Sequence, residues 1–355
     1  MENNYSDRIH GIASLIGDTP LLAIDLVFNG KKATVYAKAE YLSMTGSIKD
    51  RMAYSIMQQA FRRGCLKPDS HIVEVTSGNT GISFAAIGHA LGHQVTIYMP
   101  DWVSRERFKL LKSFGAEVIL FGKGDGGFQA NINRAEELAK SFETSFLPAQ
   151  FSNKDNTAAH YNTTGPEIWY QLRSHSVWPD AFIAGVGTGG TVMGVGRFLK
   201  EKNPSIKIYP LEPANAPFLH TDHKDHSSHR IEGISDGLLP PILDMNALDA
   251  VVSVQDGDAI LMAQKLAVQI GLGVGISSGA NFLGALKVQK NMGRDAVVVT
   301  VFPDDNKKYL STDLFKEESV KKGFLSPDIK LLGVEAFGRV CYKCCLEQIP
   351  KKGGS

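Results

Sequence analysis

The amino-acid sequence predicts an α/β protein whose mostly parallel sheets are covered by helices. Three observations lead to this class. Short apolar runs alternate with amphipathic segments, Gly-rich turns separate them, and 355 residues are enough for two domains. Such alternation is typical of parallel sheets, because each crossover returns the chain to the same end of the sheet. A polar stretch over 150–157 separates two blocks of this kind and predicts a domain boundary.

Each predicted element has its own pattern. The run HIVEVT over 71–76 is apolar and ends in the turn TSGNTG, which predicts a buried strand. Apolar residues at helical spacing over 82–91 predict a helix after that turn. The same reasoning predicts strands at 94–99, 117–121, 180–186, 206–212 and 297–302, and helices at 50–62, 104–114 and 190–202. The residues after Phe324 are expected to form a tail.

The composition argues against several classes of function. Lys and Arg total 38 while Asp and Glu total 37, so a net charge of +1 leaves no basic excess for a nucleic-acid partner. No run of about 18 apolar residues predicts a membrane span, and residues 1–10 lack the apolar segment of a secretory signal. Three of the four cysteines lie near the C-terminus, a poor disulfide framework, so we expect a reducing, cytoplasmic setting.

The first motif that could carry chemistry is TGSIKDR over 45–51. It places Lys49 near the start of the helix predicted from 50, where a Gly-Ser step can cap the helix. Positive backbone charge at a helix start disfavours a protonated amine, and a Schiff base requires a neutral lysine. The alternative is a solvated lysine in the first helical turn, and this motif alone does not exclude it.

The second motif, TSGNTG over 76–81, lies between a predicted strand and a predicted helix. Two glycines free the backbone and four polar side chains line the turn. Several N–H groups therefore point outward together at a helix N-terminus, which is an arrangement that binds a carboxylate or a phosphate. A merely polar turn is the alternative interpretation.

The third motif, GVGTGGT over 185–191, also follows a strand and opens a helix. It satisfies G-x-G-x-x-G, and Glu212 ends the next strand about 20 residues later. An NAD-dependent dehydrogenase built on Gly185–Gly190 is therefore a serious alternative. Thr188 and Thr191 favour a terminal phosphate instead, since a diphosphate needs no such pair of hydroxyls. A dehydrogenase would also leave the first two motifs without a role.

In order and spacing, these motifs resemble those of the cysteine synthases, which are fold-type II enzymes dependent on pyridoxal 5′-phosphate (PLP) and related to cystathionine β-synthase. The matching segments include IGDTPLL over 16–22, PAQF over 148–151, GISSGAN over 275–281 and YLST over 309–312. The resemblance covers 11–314. It implies a tryptophan synthase β-like fold of two three-layer α/β/α domains, with the active site in the cleft between them. The expected ranges are 47–157 for a smaller mobile domain, 11–46 plus 158–325 for a larger PLP-phosphate-binding domain, and 326–355 for a tail.

The resemblance also implies a role for each matching residue. Lys49 would hold PLP as an imine and later move the α-proton, and Asn79 would bond the ring hydroxyl of the cofactor. The substrate would be bound by Thr76, Ser77, Gly78, Asn79, Thr80, Gln150 and Gly233, and the PLP phosphate by Gly187, Thr188, Gly189, Gly190 and Thr191. Ser277 would face the pyridine nitrogen. A hydroxyl there makes the ring a weaker electron sink than a carboxylate would, which suits β-elimination.

The implied reaction is β-replacement or β-elimination on a small amino acid through an α-aminoacrylate. Cysteine synthesis from O-acetylserine and sulfide is the usual reaction of the family. One alternative is a lyase that consumes cysteine and releases hydrogen sulfide, with serine, lanthionine or pyruvate as product. Another is a catalytically silent relative that binds a partner such as serine acetyltransferase. The family is usually homodimeric, so a homodimer is expected.

One loop departs from the family pattern. Cysteine synthases usually read GIGAGF where this chain reads GISDGL over 233–238, so Asp236 adds a carboxylate near the mouth of the active site. That carboxylate could act as a catalytic base on water or on a thiol, and it would repel hydrosulfide. Both effects favour the cysteine-consuming alternative. A charge on a surface loop is the other interpretation.

Three further features leave questions open. The segment DDNKKY over 304–309 replaces the usual Gly-Glu-Arg before the tyrosine, which leaves the substrate undecided. Two clusters are weak metal signals, because one lies in a polar loop and the other lacks a second cysteine pair. These clusters are His220, His223, His226 and His229, and Cys341, Cys344 and Cys345. No metal site is expected.

Overall fold

The structure, a computed structural model, describes residues 2–220, 228–235, 237, 239–293 and 295–340. Its strands are β1 (Leu21–Phe28), β2 (Lys31–Ala39), β3 (His71–Val75), β4 (Val95–Pro100), β5 (Glu117–Phe121), β6 (Ser145–Phe146), β7 (Ala181–Gly185), β8 (Lys207–Pro213), β9 (Val252–Val254), β10 (Val298–Phe302) and β11 (Ile329–Phe337). Its α-helices are α1 (Glu2–Ala13), α2 (Lys49–Arg62), α3 (Asn79–Leu91), α4 (Arg105–Ser113), α5 (Gly127–Lys140), α6 (Lys154–Ala159), α7 (Gly165–Ser174), α8 (Gly190–Lys202), α9 (Asp256–Ile270) and α10 (Ile276–Met292). A π-helical turn, His160–Thr164, joins α6 to α7.

The larger sheet has the order β11-β1-β2-β10-β7-β8-β9. From β2 to β9 the neighbours are parallel, and the pairs β1–β2 and β1–β11 are antiparallel. Alternate side chains of β7 enter two cores: Ile183 packs with α9 and α10, whereas Phe182 packs with α7 and α8. Because strand side chains alternate between faces, the sheet is covered by helices on both sides and forms a three-layer domain.

The smaller sheet, β5-β4-β3-β6, is parallel throughout. Ile72 of β3 packs in a core with α1, α2, α3 and α4, and its neighbour Val73 packs on the other face with α5. This domain is therefore also three-layered. The predicted class of mostly parallel α/β domains is confirmed. The strand at 117–121 and the helix at 190–202 have the predicted bounds, and the helix after TSGNTG begins earlier than predicted, at Asn79.

The predicted tail over 326–355 is wrong for its first part. Residues Ile329–Phe337 form β11, which pairs with β1 along its whole length and buries Ile329, Leu331 and Phe337. Residues 341–355 lie outside the described part of the chain, and so does the cysteine cluster at 341–345. The chain before residue 11 also has a place in the fold, because Tyr5 and Ile9 of α1 are buried in the core of the smaller sheet.

None of the helices in the described ranges is both long enough and apolar enough to cross a membrane.

Candidate active site

The carboxyl ends of strands from both sheets meet at one cleft. The turns after β3, β7 and β10 all contribute to its wall, which encloses about 710 Å³ of empty space that is partly open to solvent. Ligands of α/β proteins bind at this edge, because the loops and helix N-termini there present their N–H groups. Among the predicted site residues, the wall includes Lys49, Thr76, Ser77, Asn79, Thr80, Gln150, Gly187, Thr188, Thr191, Gly233 and Ser277.

Lys49 is the first residue of α2 and lies half-buried on this wall. The Ile48 N–H donates to Pro303 O at 2.8 Å, which ties the start of α2 to the end of β10. The predicted Gly-Ser cap is wrong in detail. Ile48 is at the N-cap position without a side-chain cap, and Ser47 Oγ accepts a hydrogen bond from Lys49 N–H at 3.3 Å. Backbone contacts therefore hold the lysine at the junction of the two domains.

The two residues after Lys49, Asp50 and Arg51, fix the first turn of α2 through buried hydrogen bonds and ion pairs. Asp50 is fully buried and accepts from Ser83 Oγ at 2.6 Å and Thr45 N–H at 2.7 Å, while burial raises the pKa of its carboxyl. Arg51 donates from Nε to Glu40 at 2.6 Å and from Nη1 to Glu167 at 2.7 Å. These bonds fix the first turn of α2, so the backbone of Lys49 has little freedom to move.

The turn after β3 presents the N-terminus of α3 to the cleft. Thr76 Oγ1 accepts from Gly78 N–H at 3.1 Å, and Thr80 Oγ1 donates to Gln150 Oε1 at 2.6 Å. Gln150 in turn donates from Nε2 to Val75 O at 3.1 Å. The first N–H groups of a helix have no intrahelical partner, so this end of α3 is suited to a carboxylate.

Asn79 lies on the same wall beside a buried carboxylate. Its Nδ2 donates to Asp304 Oδ2 at 2.7 Å, and Tyr309 donates its hydroxyl to the same oxygen at 2.8 Å. Asn79 Oδ1 is buried and has no hydrogen-bond partner among the described residues. A buried polar atom without a partner points to a group that the protein itself does not supply.

The turn after β7 forms a cradle at the N-terminus of α8. Gly189 has a φ of +82°, and a Cβ at Gly190 would collide with the Asn156 side chain. Asn156 Nδ2 donates to Thr188 Oγ1 at 2.9 Å, and Thr191 Oγ1 lies 3.3 Å from His160 Nε2. The glycines therefore let the backbone turn closely, and the two threonines are held in place for an anion at the helix start.

His160 is a buried neighbour of this cradle that the sequence analysis did not single out. Its Nδ1 lies 2.9 Å from Thr164 Oγ1, so the ring has a polar partner at each nitrogen. Burial, aided by the nearby charges of Arg51 and Lys49, lowers the pKa of His160 well below its usual range. The imidazole is therefore neutral and orients Thr191 without adding a charge.

Two further predicted residues complete the wall. A Cβ at Gly187 would collide with the carbonyl oxygen of Gly233, so these two loops approach each other at backbone distance. Ser277 is buried in the first turn of α10, on the side of the cleft formed by the larger sheet. Gly78, Gly189 and Gly190 belong to the same turns but are not part of the wall. Asp236 lies outside the described residues.

Glu212, the acidic residue of the dehydrogenase alternative, is not available to a ligand. It is fully buried, and Ser253 Oγ donates to it at 3.3 Å. His220 Nδ1 also contacts its carboxylate. His229 lies 3.1 Å from Ser235 O, whereas His223 and His226 lie outside the described residues. Within the described ranges, no group of three or more His, Cys, Asp or Glu residues could hold a metal ion.

The motifs did not indicate two charged residues on the wall, Arg107 and Glu232. Arg107 Nη1 is ion-paired with Glu232 Oε2, and its Nη2 lies 3.8 Å from Asp304 Oδ2. The two partners are far apart in the sequence and neither lies in a Gly-rich motif. The contact between Arg107 and Glu232 depends on the tertiary fold, so local sequence patterns do not predict it.

Comparison with known proteins agrees with this geometry. The family model "Pyridoxal-phosphate dependent enzyme" matches residues 12–304. A probable cysteine synthase of Bacillus subtilis is 41% identical over 303 residues, which are 85% of this chain and 96% of the relative. The crystal structure of a hydrogen sulfide-producing enzyme from Fusobacterium nucleatum is 51% identical with a TM-score of 0.90, over 94% of this chain and 100% of that one. The cysteine synthase of Entamoeba histolytica is 35% identical with a TM-score of 0.79, over 90% and 94% of the two chains.

The family match covers most of the chain, and the relatives align over nearly their whole length. The fold, the cleft and the order of its turns agree with that assignment. The dehydrogenase alternative has no support from these matches. The chain is thus a PLP-dependent enzyme and belongs to the cysteine synthase family.

Proposed function

We propose that this enzyme exchanges or removes the β-substituent of a small amino acid, with Lys49 as the residue that carries the cofactor. The observation that supports this is that the three motifs that could carry chemistry all contribute to one cleft. Lys49, the amide oxygen of Asn79 that has no partner among the described residues, two helix N-termini and the buried Ser277 line the same cleft, although they come from distant parts of the chain. Each motif taken alone could be an ordinary structural feature, such as a solvated lysine or a polar turn. Those explanations do not account for the fact that all three motifs line one cleft.

The residues of the cleft fit PLP. Its dianionic phosphate requires N–H and hydroxyl donors, which the turn over 187–191 provides at the start of α8. Asn79 Oδ1 is a buried polar atom that the ring side of the cofactor would cover. Ser277 at the start of α10 offers a hydroxyl to the pyridine nitrogen. When bound, PLP supplies an aldehyde that captures amines and a ring that withdraws electrons from the α-carbon.

The chain's own residues would then bind and orient the substrate. The N-terminal turn of α3, with Gln150 behind Thr80, would hold the carboxylate. That contact would direct the Cα–H bond of the substrate toward Lys49 Nζ, which would take the proton from Cα and later return it. The proposal that the domain over 47–157 closes over the substrate stays a prediction. So do the homodimer and the serine acetyltransferase partner.

Cysteine synthesis from O-acetylserine and sulfide is the first candidate reaction, because curated relatives about 40% identical over most of the chain are cysteine synthases. A cysteine-consuming reaction that releases hydrogen sulfide is the second candidate. It is favoured by the carboxylate of Glu232 on the cleft wall, with the buried carboxylate of Asp304 behind Asn79 and with Asp236 nearby in the sequence. Fixed negative charges repel hydrosulfide but not neutral cysteine. The 51% identity to a hydrogen sulfide-producing enzyme points the same way.

Replacement of Lys49 tests the shared chemistry. We expect Lys49→Ala to lose the visible absorption of the covalently held cofactor and at least about a thousandfold of its turnover. Lys67→Ala is the control, since Lys67 is exposed and is not part of the cleft wall. A Lys49→Ala protein that retains the absorption spectrum of the wild type would contradict the proposal.

A product assay separates the two candidate reactions. The wild type is given O-acetylserine plus sulfide, or cysteine alone, and sulfide, serine, lanthionine and pyruvate are measured. Faster turnover of cysteine alone would favour the second candidate and reject the first as the main reaction. Asp236→Ala then tests the proposed base, with Glu317→Gln as an exposed acidic control. Unchanged sulfide release from cysteine in Asp236→Ala would exclude a role for that carboxylate.

A further inference from the structure

Asp304 has no role in the chemistry described so far, although it begins the segment DDNKKY that departs from the family pattern. It lies just after β10 and is 1% exposed. Its backbone forms a bridge to Ser47, and its carbonyl oxygen accepts from Gly275 N–H at 3.0 Å. A Cβ at Gly275 would collide with Asp304 Oδ1, so the glycine leaves room for this carboxylate. The backbone and the side chain of Asp304 are therefore both held in place beside the start of α2.

Three donors surround a single oxygen of this carboxylate. Asp304 Oδ2 accepts from Asn79 Nδ2 at 2.7 Å and from the Tyr309 hydroxyl at 2.8 Å. Arg107 Nη2 lies 3.8 Å from the same oxygen. Burial raises the pKa of the Tyr309 hydroxyl well above its usual range, so this hydroxyl keeps its proton and donates. Asp304 Oδ2 is therefore an acceptor, and a group that lies against it must supply a hydrogen.

This environment fixes the direction of the Asn79 amide. An asparagine side chain has donors on Nδ2 and an acceptor on Oδ1, and rotation of the amide exchanges the two. The exchanged orientation would place Oδ1 against Asp304 Oδ2, acceptor against acceptor, and would break a buried hydrogen bond. Nδ2 is thus held on Asp304. Oδ1, on the other arm of the amide, is buried without a partner among the described residues, in a side chain that lines the cleft.

We propose that Asp304 is a positioning residue that turns the Asn79 amide so that an acceptor, Oδ1, faces the ring hydroxyl of the cofactor. An amide in the opposite orientation would donate to the ring oxygen and favour its anionic form. Oδ1 instead favours the form in which the ring oxygen keeps its proton, because a hydrogen bond stabilises the protonation state that makes it. This inference rests on the proposed function and specifies how the chain controls the cofactor at that site.

The orientation of Asn79 would determine where one proton lies while Lys49 holds the cofactor. The proton is shared between the ring oxygen and the nitrogen of Lys49, and both arrangements contain the same atoms and the same total charge, so no co-reactant is needed. With the proton on nitrogen the holoenzyme absorbs visible light, and with the proton on the ring oxygen it absorbs in the near ultraviolet. A protonated nitrogen also makes the adjacent carbon more electrophilic. Asp304 would therefore moderate how readily an incoming amine displaces Lys49.

The ratio of visible to near-ultraviolet absorbance of the holoenzyme tests this inference. Asp304→Ala releases the Asn79 amide, so we expect the ratio to rise about fivefold. Asp304→Asn is the matched variant, because three donors meet where its side-chain oxygen would lie, and the ratio should stay within about twofold of the wild type although the charge is lost. Tyr309→Phe removes one of the other donors and leaves Asn79 bonded, so it should also retain the wild-type ratio.

Asn79→Ala tests the direction of the amide through the sign of the change. Loss of an acceptor should raise the ratio, whereas loss of a donor would lower it. This variant is informative even if Asp304→Ala does not fold, because Asn79 is only half-buried at the start of α3. A lower ratio in Asn79→Ala, or an unchanged or lower ratio in Asp304→Ala, would overturn the inference. A shift in Asp304→Asn as large as that in Asp304→Ala would assign the effect to charge and overturn the positioning role.

Borohydride reduction of the wild-type holoenzyme separates this inference from the proposed function. Reduction makes the bond between the cofactor and the lysine permanent, and peptide mapping then identifies the lysine. If the cofactor is attached to a residue other than Lys49, the proposed function fails. If it is attached to Lys49 but the absorbance ratio is the same in every variant, only the role of Asp304 fails.

Discussion

Arg51 and Arg107 are almost equally buried, at 3% and 2% exposure, but their surroundings differ. Arg51 donates from Nε, Nη1 and Nη2 to the two carboxylates of Glu40 and Glu167, with distances of 2.6 to 2.8 Å. Arg107 is ion-paired with Glu232 and, at 3.8 Å, with Asp304, and its Nε has no hydrogen-bond partner among the described residues. The first arginine lies behind Lys49, and the second lies on the wall of the cleft.

The comparison separates two uses of a buried charge. A buried ion pair whose N–H groups are all bonded can be kept at little net cost, but the removal of one partner strands the other charge. A donor left without an acceptor has a cost that folding alone does not repay. We therefore expect the network of Arg51 to determine stability and that of Arg107 to determine binding.

The largest expected effect is that of Arg51→Met on stability. The substitution leaves Glu40 and Glu167 buried with fewer cationic partners, so the free energy of unfolding should fall by about 3–5 kcal/mol. Urea unfolding at neutral pH, followed by circular dichroism, measures the change. A loss below about 1 kcal/mol would show that the network is not a structural anchor and would remove the contrast with Arg107.

The acid side of the stability profile depends on Glu167. Burial alone would raise its pKa, but Arg51 and Lys38 hold it at about 2, below the ordinary value of 4.5. The stabilising contribution is therefore present above pH 4.5 and is lost as pH falls toward 2, by about 3 kcal/mol in total. Unfolding free energies at pH 6 and pH 3 should differ less in Glu167→Gln than in the wild type. Equal differences would contradict this assignment.

Glu74 is a buried carboxylate without a cationic partner in the described part of the chain, and its effect should have the opposite sign. Burial raises its pKa to about 7, although Val75 and Gln150 N–H groups donate to it. Its folded pKa exceeds the ordinary 4.5, so its contribution is present below pH 4.5 and is lost as pH rises through 7, by about 3 kcal/mol. Relative to the wild type, Glu74→Gln should gain stability between pH 5 and pH 8. A constant difference across that range would contradict it.

The parallel core could be predicted from the sequence because its signals are local. A strand, a Gly-rich turn and a helix follow one another within about 30 residues, as in the run from β7 to α8. The β1–β2 hairpin also has a local signal, Asn29-Gly30 with φ of +50° and +72°, which the predicted elements leave out. The pairing of β11 with β1 could not be found in this way, since the two strands are about 300 residues apart.

The candidate site likewise has parts that the sequence predicts and parts that it does not. Its glycine and hydroxyl turns are short motifs, and the structure brings most of them to one wall. The contacts that connect the turns are not local: Asn79 and Asp304 are 225 positions apart, and the partner of Arg107 lies on another domain. No periodicity or spacing indicates such pairs. Whether a buried charged group has all of its hydrogen bonds can be seen only in the folded structure.

The smallest expected change in stability is that of Arg107→Met. The substitution removes a buried donor that has no partner among the described residues and leaves Glu232, which is 27% exposed and can be hydrated in the cleft. It also leaves Asp304, which is buried but keeps the hydrogen bonds from Asn79 and Tyr309. Methionine keeps much of the apolar stem against Tyr309, so the free energy of unfolding should change by less than about 1 kcal/mol. Urea unfolding beside Arg51→Met measures both arginines under one condition. If Arg107→Met loses as much stability as Arg51→Met, both arginines are structural, and the unbonded Nε no longer indicates a ligand.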